Sequence, residues 1–171
     1  MGEDVAGEIV EVGEGVTTFQ KGDRVFAFVH LSLFGKIIVA MLTLSRHMVS
    51  LVTNQSEDGG FQLYSAAVAA KTAKLPDSIS FSEGCVLPLA FDTAAVGLYS
   101  DHSDGFLGLP LPSADAKSSG KTIVVWGGSS SVGALAIQLA VQSGAKVVST
   151  ASERNHEFCK KLGATEVSSM A

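Results

Sequence analysis

The sequence is poor in several things at once. Its 171 residues include only two cysteines, Cys85 and Cys159, far apart in the chain. That excludes a disulfide framework or a cysteine-rich zinc pattern and suits a reducing compartment. Aromatic residues make up 7%, with one tryptophan, Trp126. Lysine and arginine number 12 against 17 acidic residues, for a net charge of −5. Without a long basic run, the chain lacks the electrostatic footprint of a nucleic-acid binder. The opening residues MGEDVAGEIVEVG lack the charged and apolar regions of a signal peptide. The expectation is a cytoplasmic protein with neither nucleic-acid nor membrane partners. Composition leaves the oligomeric state open.

What is abundant is hydrophobic content, 46%, enough for one domain or a domain and a smaller piece. The most informative stretch is TIVVWGGSSSVG at residues 122–133. A β-branched run leads into glycines and serines, and an apolar helical pattern follows. Strand, tight turn and helix in that order aim backbone N–H groups and a helix N-terminus at a phosphate. The turn reads Gly128-x-Ser130-x-x-Gly133, with serine in place of the middle glycine of a dinucleotide fingerprint. Ser130 widens the turn slightly and brings a hydroxyl that can donate to a phosphate oxygen. A generic glycine-rich turn has the same composition.

KVVSTAS, from Lys146 to Ser152, reads as a second strand. Residues 123–150 then fit one βαβ unit, typically about 30 residues. An NAD-specific site places an acid near the end of that strand for the ribose 2′-hydroxyl. Here stand Thr150, Ala151 and Ser152, with Arg154 just beyond. Hydroxyls and a cation suit a 2′-phosphate, which favours NADP(H) over NAD(H). The competing reading makes Ser152 the N-cap of a helix over 153–162, with Arg154 on its solvated face.

Upstream, Glu8 to Val12 alternates as a strand, Gly13 to Gly15 and Lys21-Gly22-Asp23 turn, and Arg24 to Val29 is a second strand. Phe61 to Val68 reads as another. Ser80-Phe81-Ser82-Glu83 matches a capping box, so a helix is predicted from Phe81, broken or kinked at Pro88. Residues 100–121 read as a surface loop, and Glu166 to Met170 opens a third strand of the second half.

Four stretches resemble the medium-chain dehydrogenase/reductase superfamily: GEDVAGEIVEVGEGVTTFQKGDRVFAF, LPDSISFSEGCVLPLAFDTAAVGLY, GKTIVVWGGSSSVG and CKKLGATEV. The likeness is to its zinc-independent quinone or enoyl reductase branch, especially fungal zinc-binding-oxidoreductase-type members. It implies an α/β protein: a partial GroES-like β domain over 1–79, followed by a partial Rossmann doubly wound parallel sheet over 80–171. It also implies that Gly7, Gly13 and Gly22 to Val25 belong to the β-domain core. Thr93 falls at the position near the nicotinamide. Gly127, Gly128, Ser129, Ser130, Ser131, Val132 and Gly133 fall on the pyrophosphate loop, and Thr150, Ser152 and Arg154 on the adenosine ribose. An ordinary helix threonine bonding back to a carbonyl is the other reading of Thr93.

Zinc-dependent relatives carry Gly-His-Glu where this chain has Gly2-Glu3-Asp4, so Glu3 replaces a histidine ligand. The histidines (His30, His47, His102, His156) are scattered. Zinc needs three or four ligands at fixed spacing, so no zinc is expected. No catalytic acid stands out, and Tyr64 and Tyr99 read as packing residues that are also possible donors. The resemblance also implies that family members start upstream of Gly2 and continue beyond Ala171. Residues 31–52 have no counterpart and form an atypical insert. It reads as a translated intron, a surface insertion forming a helix, or a membrane segment. Lys36, Arg46 and His47 interrupt it, and the apolar run 37–44 falls far short of the ~20 residues a span needs. On the intron reading its removal improves soluble expression.

The leading function is an NADPH-dependent oxidoreductase passing a hydride to a small-molecule substrate, an enone, enoyl compound or quinone. The alternatives are a catalytically inactive fragment that at most binds a nucleotide, and a non-enzymatic interaction protein on the same fold.

Overall fold

The computed structural model describes residues 4–29, 36–41, 59–61 and 63–169. They divide into two compact units, Met1–Leu89 and Ala90–Ala171.

The first unit is built on an antiparallel sheet. Its strands are β1 (Asp4–Val12), β2 (Arg24–Phe28), β3 (Lys36–Met41), β4 (Tyr64–Val68) and β5 (Thr72–Lys74), in spatial order β4-β3-β1-β2-β5. Alternation does the sorting. Val5 and Ile9 of β1, Val25 and Ala27 of β2 and Ala67 of β4 share one core with Val29. Successive side chains on a strand point to opposite faces, so a period of two collects them on one side. Gly15 and Gly22 sit at φ +80° and +92° in the turns that connect the strands, a region glycine enters without steric cost.

Arg24 ties the chain after β5 back to β2. Its guanidinium donates to the Pro76 carbonyl (3.0 Å), the Asp77 carboxylate (3.2 Å) and the Ile79 carbonyl (2.7 Å). It also lies 4.6 Å from the centre of the Phe81 ring. Several donors on one planar group explain why arginine suits this position and lysine does not. Phe81 opens α1 (Phe81–Gly84), capped as expected: the Glu83 amide donates to Ser80 Oγ (3.3 Å) and the Ser80 amide to the Glu83 carboxylate (2.9 Å). Pro88 breaks the run and opens α2 (Pro88–Tyr99), a first-turn position that spares its missing N–H. The Leu89 amide donates to Asp4 Oδ1 (2.6 Å). By length and composition Phe81–Tyr99 could cross a membrane, but it is interrupted before Pro88, and Ala94 and Leu98 are buried.

Of the three readings of 31–52, the surface helix does not hold at Lys36–Met41. These residues form a strand paired antiparallel with β1 and with β4, with a register shift between Ile9 and Glu11. A short apolar run fits helix or strand equally well by periodicity, and neighbouring ladders decide. The rest of the insert, which includes His47, lies outside the described residues, as does His30. β3 runs antiparallel to both its neighbours, so β1 and β4 run parallel to each other. Removing 31–52 therefore preserves the sheet only if those two strands close up in parallel.

The second unit has a parallel sheet of β6 (Thr122–Val125), β7 (Lys146–Ala151) and β8 (Glu166–Ser169), in order β6-β7-β8. The crossovers are α3 (Ser131–Gln142) and, after a 3-10 turn over Glu153–Asn155, α4 (His156–Lys161). Ile123, Val125, Val147 and Ala151 of the sheet, Ile137 and Ala140 of α3 and Cys159 of α4 form one core. Leu109, inside the predicted surface loop, is buried in it. Leu98 and Tyr99 of α2 also pack there, and the Tyr99 hydroxyl donates to the Leu139 carbonyl (3.2 Å).

Asp23 gives the first unit a pH signature. Its carboxylate accepts the Gln20 amide (3.0 Å) and pairs with Lys74 (3.0 Å). The Gln20 hydrogen bond, then Lys74, hold its pKa below the ordinary aspartate value. A lowered folded-state pKa contributes stability above the unfolded value and loses it as pH falls through the folded one. Asp23→Asn should therefore melt below wild type at pH 7. The two melting temperatures should converge as pH drops below ~4, as thermal melts across pH will test.

Candidate nucleotide-binding site

The turn between β6 and α3 takes its shape from the end of β7. The Gly128 amide donates to the Thr150 carbonyl (2.9 Å), and the Gly127 amide to Thr150 Oγ1 (3.0 Å). Gly127 sits at φ +73° with open space where a Cβ would be. Gly128 is different. A Cβ there would run into Ser149 Oγ and come within 2.7 Å of Ile137 Cδ1. A Cβ on Gly133 would meet the Gly127 carbonyl and, at 2.9 Å, Gly128 Cα. The two outer glycines of the motif thus let strand, turn and helix pack closely.

Ser130 is the N-cap of α3. Its Oγ accepts the Gly133 amide (3.1 Å), and its own amide donates to the Gly127 carbonyl (2.9 Å). The serine that replaces the middle glycine therefore closes the helix end, and its hydroxyl proton remains available. Among the described residues this leaves the amides of Ser129, Ser131 and Val132 without an acceptor. Ser131 and Val132 are the first helical positions, where intrahelical partners do not exist. A 12-residue helix adds its positive dipole end at the same place. Ser130 and Ser131 are exposed, so the turn is not closed by packing.

At the far end of β7, the Thr150 hydroxyl oxygen is already accepting from the turn. Ser152 is exposed and stands in N-cap geometry, but its side chain caps no backbone group. Instead, Ser152 Oγ accepts from Asn155 Nδ2 (3.0 Å). The same amide nitrogen donates to Ser129 Oγ of the turn (3.3 Å). Sequence reasoning passed over Asn155, because its two partners lie on different elements. Arg154 is exposed and makes no hydrogen bond or ion pair among the described residues. His156 Nε2 donates to the Ala151 carbonyl (3.2 Å).

Thr93 lies exposed on α2, and no hydrogen bond joins it to this turn or to a carbonyl of its own helix. Hydrogen bonds thus join the stretch Gly127 to Gly133 with Thr150 and, through Asn155, with Ser152; Arg154 is beside them in sequence, and among the described residues no hydrogen bond ties Thr93 to them. The cysteines are buried. Burial raises both thiol pKa values, and for Cys85 the nearby Asp4 charge adds to it, so neither is an activated nucleophile. Among the described residues no three His, Cys, Asp or Glu side chains gather as a metal site. Glu3 lies outside those residues.

Three free amides at a helix N-terminus, hydroxyls around them and an unpaired guanidinium beyond the next strand fit a dinucleotide diphosphate. An antiparallel β unit followed by a Rossmann-type α/β unit is the class defined here. Residues 1–77 match the alcohol dehydrogenase GroES-like domain. The trans-enoyl reductase himH of Aspergillus japonicus is 45% identical over 97% of this chain and 42% of its own length. An alcohol dehydrogenase superfamily protein from Novosphingobium aromaticivorans superposes with a TM-score of 0.67 at 30% identity, covering 97% of this chain and 40% of that one. The quinone oxidoreductase from Coxiella burnetii superposes with a TM-score of 0.62 at 27% identity, covering 98% and 41%. These likenesses support reading the chain as part of a medium-chain dehydrogenase/reductase superfamily member. The chain spans about two fifths of the length of these relatives.

The packing roles of the turn are directly testable. Gly128→Ala should destabilise the protein by about 1–3 kcal/mol through overpacking against Ser149 and Ile137. Ser130→Ala, which removes only the cap, should cost ~1 kcal/mol. Urea denaturation of the two variants beside wild type measures both.

Proposed function

We propose that this chain carries the NADPH-binding part of a zinc-independent reductase whose substrates are α,β-unsaturated carbonyl compounds or quinones. One observation supports the reading above the others: the free amides of Ser129, Ser131 and Val132 at the head of α3. They offer donors at fixed positions to a diphosphate, and Gly127 keeps side-chain bulk off the approach.

The preference for the phosphorylated cofactor rests on Ser152 and Arg154. Neither is acidic, both are exposed, and the guanidinium has no partner among the described residues. A 2′-phosphate gains charge-assisted hydrogen bonds from such a pair, whereas a carboxylate at that place would repel it. The nicotinamide supplies the hydride. The protein's part is to bind, to orient and to exclude water. In a zinc-free site, stabilising the developing anion falls to hydrogen-bond donors. Tyr99 is committed to the Leu139 carbonyl and adjacent to Ser143 Oγ, while Tyr64 is exposed. Thr93 is proposed as a nicotinamide-side contact of the whole protein. The proposed setting is the cytoplasm.

A second reading is a polypeptide that binds nucleotide without turnover. Turnover distinguishes the two.

Trp126 is 74% exposed beside the turn and serves as the reporter. NADPH titration should quench its fluorescence, with energy transfer to the reduced nicotinamide. Arg154→Ala should weaken NADPH by roughly tenfold and NADH far less, the worth of one charged hydrogen bond. A folded sample whose Trp126 emission ignores both dinucleotides would overturn the proposal.

A further inference from the structure

Asn155 joins the two ends of the site with one nitrogen. Its Nδ2 donates to Ser129 Oγ in the turn (3.3 Å) and to Ser152 Oγ after β7 (3.0 Å). Its backbone amide donates to the Ser152 carbonyl (2.8 Å), which fixes the side chain's origin. The amide group of asparagine carries two hydrogens, one for each serine. Each hydroxyl oxygen is thereby used as an acceptor, and its proton is left to be donated elsewhere. Neither serine hydroxyl donates to another group among the described residues.

We infer that Asn155 is a positioning residue that sets the Ser129 and Ser152 hydroxyls as outward donors, Ser129 toward the diphosphate and Ser152 toward the 2′-phosphate, and so helps select NADPH over NADH. The inference rests on the dinucleotide reading of the turn. A hydroxyl is donor and acceptor alike, and without a fixed donor behind it would have to be oriented by the ligand at binding. A pre-set donor avoids that ordering cost. The device also couples the two anion sites, because a single side chain orients both.

Asn155→Asp is the sharpest test. Its shape is kept, but a carboxylate only accepts. Both hydroxyls would turn inward to it, and a negative charge would stand beside the 2′-phosphate. By Trp126 fluorescence, Asn155→Asp should weaken NADPH by tenfold or more, on the order of a charged hydrogen bond, and NADH by clearly less. Asn155→Ala should lie between wild type and the aspartate variant in NADPH/NADH preference. A merely structural role would lower both affinities together and leave the preference unchanged. Circular dichroism checks the fold of each variant. In wild type the Asn155 side-chain amide resonances should shift on adding 2′,5′-ADP and shift less with 5′-AMP. Variants that keep the wild-type preference, or amide resonances indifferent to the 2′-phosphate, overturn the role of Asn155 while the site stands. A wild type that binds neither dinucleotide overturns the site and this inference together.

Discussion

The grip of Thr150 on the turn is the constraint from which the site follows. Parallel pairing of β6 and β7, with Val125 opposite Ser149, brings the end of β7 level with the start of the turn. There one residue satisfies two amides, Gly128 through its carbonyl and Gly127 through its hydroxyl. Buried amides must be paired, and these are paired from behind. What remains unpaired is the row at Ser129, Ser131 and Val132. The proposed anion site is thus what is left over after the turn's internal requirements are met. Moving β7 by one residue would place an outer-face residue behind Gly128 and change which donors are free.

The glycine-serine turn was legible because its signal is local. Strand, glycine-serine turn and helix are adjacent in sequence, and each is favoured by its own residue types. The roles within the turn were less legible. Gly128 reads as a phosphate glycine but serves packing against Ser149 and Ile137, which lie on other elements. Ser130 reads as a phosphate donor and is first of all a helix cap. Thr150 reads as a ribose contact, yet its hydroxyl oxygen accepts from the turn. Asn155 left no signal, since a polar residue after a strand is ordinary, and its link to Ser129 spans 26 positions.

In the first unit the same division appears. The capping box at Ser80 and Glu83 and the break at Pro88 were readable, because each concerns a few neighbours. Arg24 was readable only as part of a motif. Its four partners, Pro76, Asp77, Ile79 and Phe81, lie more than 50 positions away. Residues 36–41 show the opposite failure. Their composition was seen as foreign to its flanks, while their pairing with β1 and β4 depended on ladders far off in the chain.

By itself the sequence determined element type wherever periodicity ran long enough, the caps and glycine turns that bound those elements, and the presence of a glycine-serine turn at a helix N-terminus. These are properties of neighbours, set by backbone sterics and by side chains within a turn of one another. Tertiary structure alone decided which amides of that turn are spent and which are free, which glycines serve packing, and that Asn155 stands between two serines. Those outcomes need β6, β7 and the following 3-10 turn side by side, and no local energy records where a distant strand will pair.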